Sequence, residues 1–431
     1  MLKITIEQLY ERFKTASRVS TDTRKIPENC LFFALKGDNF NGNTFALEAL
    51  EKGASFAVID EATFATDPRC LLVDDVLEAL QKLANHHRRQ LNIPIIGLTG
   101  SNGKTTTKEL IASVLAAKFK TYSTVGNFNN HIGVPLTLLA IDDTYEIAVV
   151  EMGANHQKEI ELLSSIAEPT HGMITNIGKA HLEGFGGTAG VRKGKGELFD
   201  FLSKTQGTVF INVKSEVLKE MAAERTFKET IYYLDDASVS LKTESPFVEF
   251  MADNQLVTTH LAGGYNFENM AAALKIGQYF GVPLALAAAA IGAYNPTNNR
   301  SQVVQKGSNS IIMDAYNANP SSMAAAVKNF IALKADHKVV ILGDMLELGD
   351  EAPAEHLALG ELIASGDFET VVLFGALMAD ALPVLPKAYY FTDKFSLHNW
   401  LMDKKITNSY LLIKGSRGVK LETILPFLEN E

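Results

Sequence analysis

Apolar positions along the chain fall into two alternating patterns. Short consecutive runs rich in β-branched and aromatic residues end in polar or glycine positions, and between them lie stretches whose apolar residues recur three or four apart. In the first ninety residues the runs are CLFFAL, SFAVID and CLLVD, whereas TFALEALEKG and VLEALQKLANHHRRQ carry the helical spacing. In the second of these helices Val76, Leu80, Leu83 and Ala84 share one face, and the run from His86 to Arg89 reads as an exposed helix end leading into a linker. Pro94 lies in a new apolar run from Ile93 to Thr99, followed as far as residue 300 by AVVEMGA, GMITNIG and TVFINV between helical segments. After Arg300 the pattern restarts with SIIMDAY, KVVILGD, TVVLFG and YLLIKGS. Strands alternating with helices predict an α/β fold with parallel sheets and right-handed crossovers, in which ligands collect beyond the carboxyl ends of the strands. Three domains are expected: a small N-terminal α/β domain over 1–90, a central domain with a mostly parallel sheet over 91–300, and a C-terminal Rossmann-like α/β domain over 301–431.

Length supports that division, because 431 residues exceed what one ordinary hydrophobic core accommodates. With 46% hydrophobic and 21% charged residues the chain is of the globular class, and its net charge of −10 argues against a general nucleic-acid or anionic-membrane binder. Cys30 and Cys70 lack any C-x-x-C spacing and sit beside apolar residues, so they read as small buried hydrophobes. The opening segment MLKITIEQLYERFK is charged throughout, without the apolar core of a signal peptide. The Ala-rich stretch from Val282 to Pro296 is too short to span a bilayer. A cytoplasmic protein without membrane insertion is expected.

The strongest chemical signal is IPIIGLTGSNGKTTTKELIASVL. An apolar strand runs into Gly100, Ser101, Asn102, Gly103, Lys104, Thr105 and Thr106, and a helix follows with Leu110, Ile111, Val114 and Leu115 on one side. Glycines let backbone N–H groups turn toward an anion, and a helix N-terminus adds its own donors and dipole. Lys104 would reach the β- and γ-phosphates of a nucleotide and the Thr105 hydroxyl would bind Mg²⁺. Leu98 stands where the general G-x-x-x-x-G-K-[ST] pattern wants its first glycine, and the bland reading is a glycine-rich turn capping a helix.

Segments beyond this loop make a resemblance specific. T-G-S-N-G-K-T-T-T, G-N-F-N-N-H-I-G-V-P, V-V-E-M-G-A-N, I-T-N-I-G-K-A-H-L-E-G-F-G, K-G-E-L and G-G-Y-N-F-E-N-M-A-A-A together resemble the Mur ligase family, the ATP-dependent amide ligases of peptidoglycan precursors. D-A-Y-N-A-N-P-S-S-M, L-G-D-M-L-E-L-G and I-K-G-S-R point within that family to the branch that joins D-alanyl-D-alanine to a UDP-N-acetylmuramoyl-tripeptide, and the D-N-P-R segment of the diaminopimelate- or lysine-adding branch is absent. The resemblance implies an acyl-phosphate intermediate, ATP and Mg²⁺ (two ions) as cofactors, those two small molecules as partners, and a monomer. It assigns the UDP-sugar to domain one, ATP to domain two, and the dipeptide and closure over ATP to domain three.

By the same resemblance Lys104, Glu151, His181 and Lys195 are catalytic. Thr105, Glu151, His181 and Lys195, the last as a CO₂-derived carbamate, hold the metal. A carbamate is an oxygen-bearing anion that suits Mg²⁺, whereas an ammonium would repel it; histidine is an unusual Mg²⁺ ligand, and on chemistry alone surface roles for Glu151 and His181 stay open. Arg192 and Lys193 beside Lys195 read as a solvated loop. Asn266 and Asn269 are assigned to the adenine edge, although Asn266 equally reads as a helix N-cap. Arg300 would fork onto phosphate oxygens and Asp314 would accept from the ribose after domain closure. Ser20, Thr21, Arg24 and Lys36 are assigned to the UDP-sugar, but individually read as a turn and a solvated lysine. Asn127, Asn130 and His131 would face the reacting carboxylate, with turn chemistry as the alternative. Asn317, Asn319, Lys414, Ser416 and Arg417 would hold the dipeptide, while Asp344, Glu347 and Gly349 mark the branch without a chemical role.

Rival readings are a sister ligase adding diaminopimelate or lysine, a folylpolyglutamate-synthase-like ligase, a non-ligating nucleotide-binding protein that keeps the fold, and a simple P-loop ATPase or kinase. Lys104, Thr105, Glu151, His181 and Lys195 together argue against lost chemistry.

Overall fold

The computed structural model describes residues 3–244 and 246–428, and in it the apolar runs become the strands of three sheets. In the first, Val19–Ser20, Leu31–Phe33, Phe56–Ile59 and Cys70–Leu72 lie side by side, all parallel. Cys30 and Cys70 are buried and unpaired in its core. The helix Val76–Gln90 covers the sheet, with Val76, Leu80, Leu83 and Ala84 buried as their spacing predicts.

The far end of that helix differs from expectation. Only His86 and Arg89 face outward; His87 and Arg88 are buried. The Arg88 guanidinium donates to the carbonyls of Ala167 (2.9 Å), Glu168 (3.0 Å) and Leu91 (2.9 Å), and His87 Nε2 lies 2.7 Å from the Ile141 carbonyl. A planar five-donor fork reaches carbonyls at the end of a helix of the next domain, which gives the buried cation its partners. Arg88→Ala leaves these acceptors unmatched and is expected to lower stability by about 3 kcal/mol, read as a lower urea midpoint at unchanged slope. Arg88→Lys, without the fork, should recover less than half of the loss.

The second sheet runs, edge to edge, Glu229–Tyr233, Thr208–Asn212, His171–Ile174, Ile95–Thr99, Ile147–Glu151, Thr121–Ser123, all parallel. From Ile95–Thr99 the chain goes first to one side and then to the other, so this strand ends at the switch point where open α/β sheets bind ligands. The helix Lys104–Ala116 follows, with Leu110, Ile111, Val114 and Leu115 fully buried. An antiparallel sheet of Val239–Thr243, Glu249–Ala252 and Gln255–Thr258 is also attached, which the sequence reading did not foresee.

The third sheet has the order Gln302–Lys306, Asn309–Asp314, Tyr410–Lys414, Lys338–Gly343, Thr370–Phe374, Tyr389–Phe391, antiparallel only at its first pair. Asp314 and Lys414 are register partners at the carboxyl ends of adjacent strands. No helix among the described residues is long and apolar enough to cross a membrane.

Candidate functional site

A cavity of about 930 Å³ opens where the carboxyl ends of the second and third sheets face each other. Its floor is the loop from Ser101 to Thr106. Gly100 begins this loop at φ +149°, and a Cβ there would stand 1.9 Å from the Thr175 hydroxyl oxygen, so only glycine lets the two loops meet. The loop is then pinned: Ser101 N–H donates to the Asn176 carbonyl (3.0 Å), Asn102 N–H to Asn176 Oδ1 (3.0 Å), and Ser101 Oγ bridges to Gly178. Lys104 Nζ folds back on the carbonyls of Gly100 (2.7 Å) and Ser101 (3.3 Å). Burial in the cleft pulls its pKa down to about 8, opposed by Glu151 and assisted by Arg300.

Glu151 ends its strand fully buried. Its Oε1 accepts from the Thr105 hydroxyl (3.2 Å) and Asn129 Nδ2 (2.8 Å), while Oε2 has no hydrogen-bond partner. Lys108, buried one helical turn beyond the loop, donates to the Thr124 carbonyl at 2.7 Å and lies 3.9 Å from Oε2. Asn129, Thr124 and Lys108 were missed in the sequence, though Asn129 stands inside the quoted Asn-rich segment. Among the described residues no three His, Cys, Asp or Glu side chains converge on one point. His181 caps a short helix in left-handed conformation (φ +52°), and its Nδ1 pairs with Glu347 of the third domain. That bond holds the Glu347 carboxyl below its ordinary pKa.

Lys195 belongs to the helix Thr188–Lys204 and not to a loop, and neighbouring Arg192 pairs with Glu220 and Glu224. The Lys195 side chain does not line the cavity; it is buried beneath it, donating to the carbonyl of lining residue Ala154 (3.0 Å) with the Phe185 ring 5.0 Å away. Burial, aided by the Lys104 charge, pushes its ammonium well below the usual lysine range.

Asn266 and Asn269 line the cavity from the helix Tyr265–Tyr279. The N-cap is Gly264, so the capping alternative for Asn266 fails: it sits in the first turn, donates to the Ala262 carbonyl (2.7 Å) and accepts from Asn269 (3.0 Å). Arg300 stacks on the Tyr316 ring at 3.7 Å, and Arg417 lies 5.5 Å from the same ring while pairing with Glu422. Asp314 is held by Lys414 (2.6 Å) and the Ser301 N–H (3.2 Å). Asn317, Asn319 and Arg417 line the third-domain wall, and Asn319 Nδ2 donates to Asn102 Oδ1 (2.7 Å), so the two domains touch at the phosphate loop. Ser416 does not line it: the buried hydroxyl donates to the Ala318 carbonyl (3.3 Å) and accepts from Leu346 N–H (3.0 Å), tying two loops together. Asn127, Asn130 and His131 line the far wall, with Asn130 Oδ1 accepting from the N–H groups of Ile132 and Gly133, which is turn chemistry.

Ser20, Thr21, Arg24 and Lys36 are not among the cavity's lining residues. Arg24 pairs with Asp22, and Lys36 bridges Asp60 (2.8 Å) and Glu61 (3.0 Å).

A phosphate-binding loop at a sheet switch point, facing a second α/β domain across a cleft rich in charge, defines a multidomain P-loop nucleotide-binding protein. Residues 15–88 match the description "Mur ligase family, catalytic domain", 98–277 "Mur ligase middle domain", and 299–417 "Mur ligase, glutamate ligase domain". The UDP-N-acetylmuramoyl-tripeptide–D-alanyl-D-alanine ligase of Bacillus subtilis (strain 168) is 36% identical over 94% of this chain and 92% of its own. Crystal structure I of MurF from Acinetobacter baumannii superposes with a TM-score of 0.85 at 30% identity, covering 99% of both chains. The MurF ligase of Thermotoga maritima in complex with ADP has a TM-score of 0.82 at 26% identity, covering 96% of this chain and 97% of that one. The chain belongs to the Mur ligase family.

Proposed function

We propose that the chain is the ATP-dependent ligase that joins D-alanyl-D-alanine to UDP-N-acetylmuramoyl-tripeptide, acting as a cytoplasmic monomer. The observation that carries this reading is the full-length likeness to a ligase of that name, together with a third-domain wall of Asn317, Asn319, Lys414 and Arg417 facing the phosphate loop. The γ-phosphoryl group passes from ATP to the terminal carboxylate of the tripeptide, giving ADP and an acyl phosphate. The amine of the dipeptide attacks the acyl carbon, an amide forms, and inorganic phosphate leaves.

Residues of this chain meet the charge problem of that first step. Lys104 exchanges the carbonyls of Gly100 and Ser101 for phosphate oxygens, and the N–H groups of the first helical turn, from Lys104 to Thr106, hold the rest of the triphosphate. The site fits Mg²⁺: the buried Oε2 of Glu151, which makes no hydrogen bond, and the adjacent Thr105 hydroxyl are hard oxygen donors, and a sparse protein ligand set matches an ion that keeps its waters. Thr105 and Glu151 would hold it, with His181 and a carbamylated Lys195 completing two sites. When bound, Mg²⁺ supplies the positive charge that lets two anions approach. Asn266 and Asn269 serve the adenine, Arg300 the phosphates, and Asp314 the ribose once Lys414 yields. Ser20, Thr21, Arg24 and Lys36 hold the UDP-sugar in domain one, and Asn127, Asn130 and His131 face the tripeptide carboxylate.

Phosphate release is the test. With UDP-MurNAc-tripeptide and MgATP, D-Ala-D-Ala is expected to stimulate release and yield the pentapeptide by mass, whereas diaminopimelate, lysine and glutamate stay at background. Release that ignores the dipeptide removes the assignment.

A further inference from the structure

We propose that Glu347 receives the ammonium group of the incoming dipeptide and thereby fixes which end of the acceptor faces the acyl carbon; this rests on the ligase reading above. A free dipeptide is a zwitterion, so a site that orients it needs an anion for one end and a cation for the other.

Five carboxylates line the cavity: Glu151, Glu159, Glu268, Asp314 and Glu347. Four accept from neighbours on their own side of the cleft. Glu151 accepts from Thr105 and Asn129, Glu159 from the N–H groups of Asn155 and His156, Glu268 from Asn212, and Asp314 from Ser301 while it pairs with Lys414. Glu347 instead has one partner, His181 across the cleft, and its side chain is 56% exposed against 42% for Glu159.

The backbone displays this carboxylate at a cost. Glu347 has φ +64°, a left-handed conformation uncommon for a non-glycine residue. The residues before it are tied down. Met345 N–H donates to buried His356 Nε2 (3.1 Å), Leu346 N–H to Ser416 Oγ (3.0 Å), and Ser416 N–H to the Asp344 carbonyl (3.1 Å).

Those same bonds put the opposite charge next door. Ser416 precedes Arg417, and a Cβ on Gly418 would stand 3.0 Å from Leu346 Cδ1, so the loops bearing Glu347 and Arg417 are in contact. Arg417, which pairs with Glu422 and lies 5.5 Å from the Tyr316 ring, supplies the cationic end, while Arg300 on the same ring is left to the phosphates. An extended dipeptide spans about 7 Å, which suits two adjacent loops. Glu347 at one pole and the Arg417 guanidinium at the other thus make a clasp for a short zwitterion.

The test is steady-state kinetics of Glu347→Gln beside Glu347→Asp, each checked by thermal melting. E347Q is expected to raise KM for D-Ala-D-Ala roughly tenfold or more while KM for ATP and for the UDP-tripeptide moves less than about twofold. E347D, shorter but charged, should fall between, and it decides the matter if E347Q does not fold. N-acetyl-D-Ala-D-Ala, which carries no ammonium, serves as competitor: its Ki should be the same in wild type and variant. An unchanged dipeptide KM, an equal loss for the acetylated competitor, or an effect that saturating Mg²⁺ abolishes would each overturn the proposal. Wild-type enzyme that transfers to no dipeptide at all overturns the ligase reading, and this inference with it.

Discussion

Lys104→Met is expected to abolish ligation for practical purposes, lowering kcat by a factor on the order of 10³, the scale found when a preorganised charge-stabilising donor is removed. The ammonium is the one cation of the loop, and its present partners are two carbonyls of that loop, at 2.7 and 3.3 Å. Such bonds are readily exchanged for phosphate oxygens, so the side chain is stored at its site of action rather than recruited to it. Methionine keeps the length and loses the charge. Lys104→Arg is expected to rescue poorly, because a planar fork does not fit the space a point charge occupies between Gly100 and Ser101. The check is single-turnover acyl-phosphate formation, trapped as hydroxamate, together with direct titration of a non-hydrolysable ATP analogue. Activity within tenfold of wild type would remove Lys104 from the chemistry.

That loop was legible because its chemistry is local. Strand, glycines, Lys-Thr and helix follow each other in sequence, and the structure places them in that order at the switch point. Helix Val76–Gln90 was legible for a similar reason, since one periodic face determines it. Contacts that depend on distant segments were not. Arg88 looked like part of a solvated basic run, yet acceptors eighty residues away bury it. The basic cluster beside Lys195 read as a solvated loop, but it lies on a helix that carries glycines at 190, 194 and 196. Phe185 explains the first two: its carbonyl would lie 1.8 Å from a Cβ on Gly190 and its ring 2.4 Å from one on Gly194, so small residues let the helix approach. In the antiparallel sheet the signal was present but unread. Asp253 and Asn254 have φ +45° and +65°, the two left-handed residues of a tight hairpin turn between Glu249–Ala252 and Gln255–Thr258. Ser416, chosen as a substrate contact from its motif, turned out to be the tie between loops, a role only tertiary structure can reveal.

The second large effect is expected at Lys195. A lysine with no exposed surface, one carbonyl partner and an aromatic ring beside it is poorly solvated as an ammonium, and the Lys104 charge disfavours it further. Both influences favour the neutral amine, which is the form that adds CO₂. A carbamate formed there would be an anion and would reverse the sign of the charge under Ala154, at the edge of the site. Lys195→Ala is therefore expected to lower kcat by roughly 10²-fold or more, and short carboxylic acids such as acetate should restore roughly a tenth of the wild-type rate by supplying the missing anion. A readout independent of turnover accompanies this: protein equilibrated with ¹³CO₂ should give a carbamate carbon resonance that the K195A variant lacks. Lys195→Arg cannot form a carbamate and should be as impaired as alanine although it keeps the cation. An active K195R variant, or a K195A variant indifferent to acetate, would mean that this lysine works as a buried ammonium packed on Phe185 and nothing more.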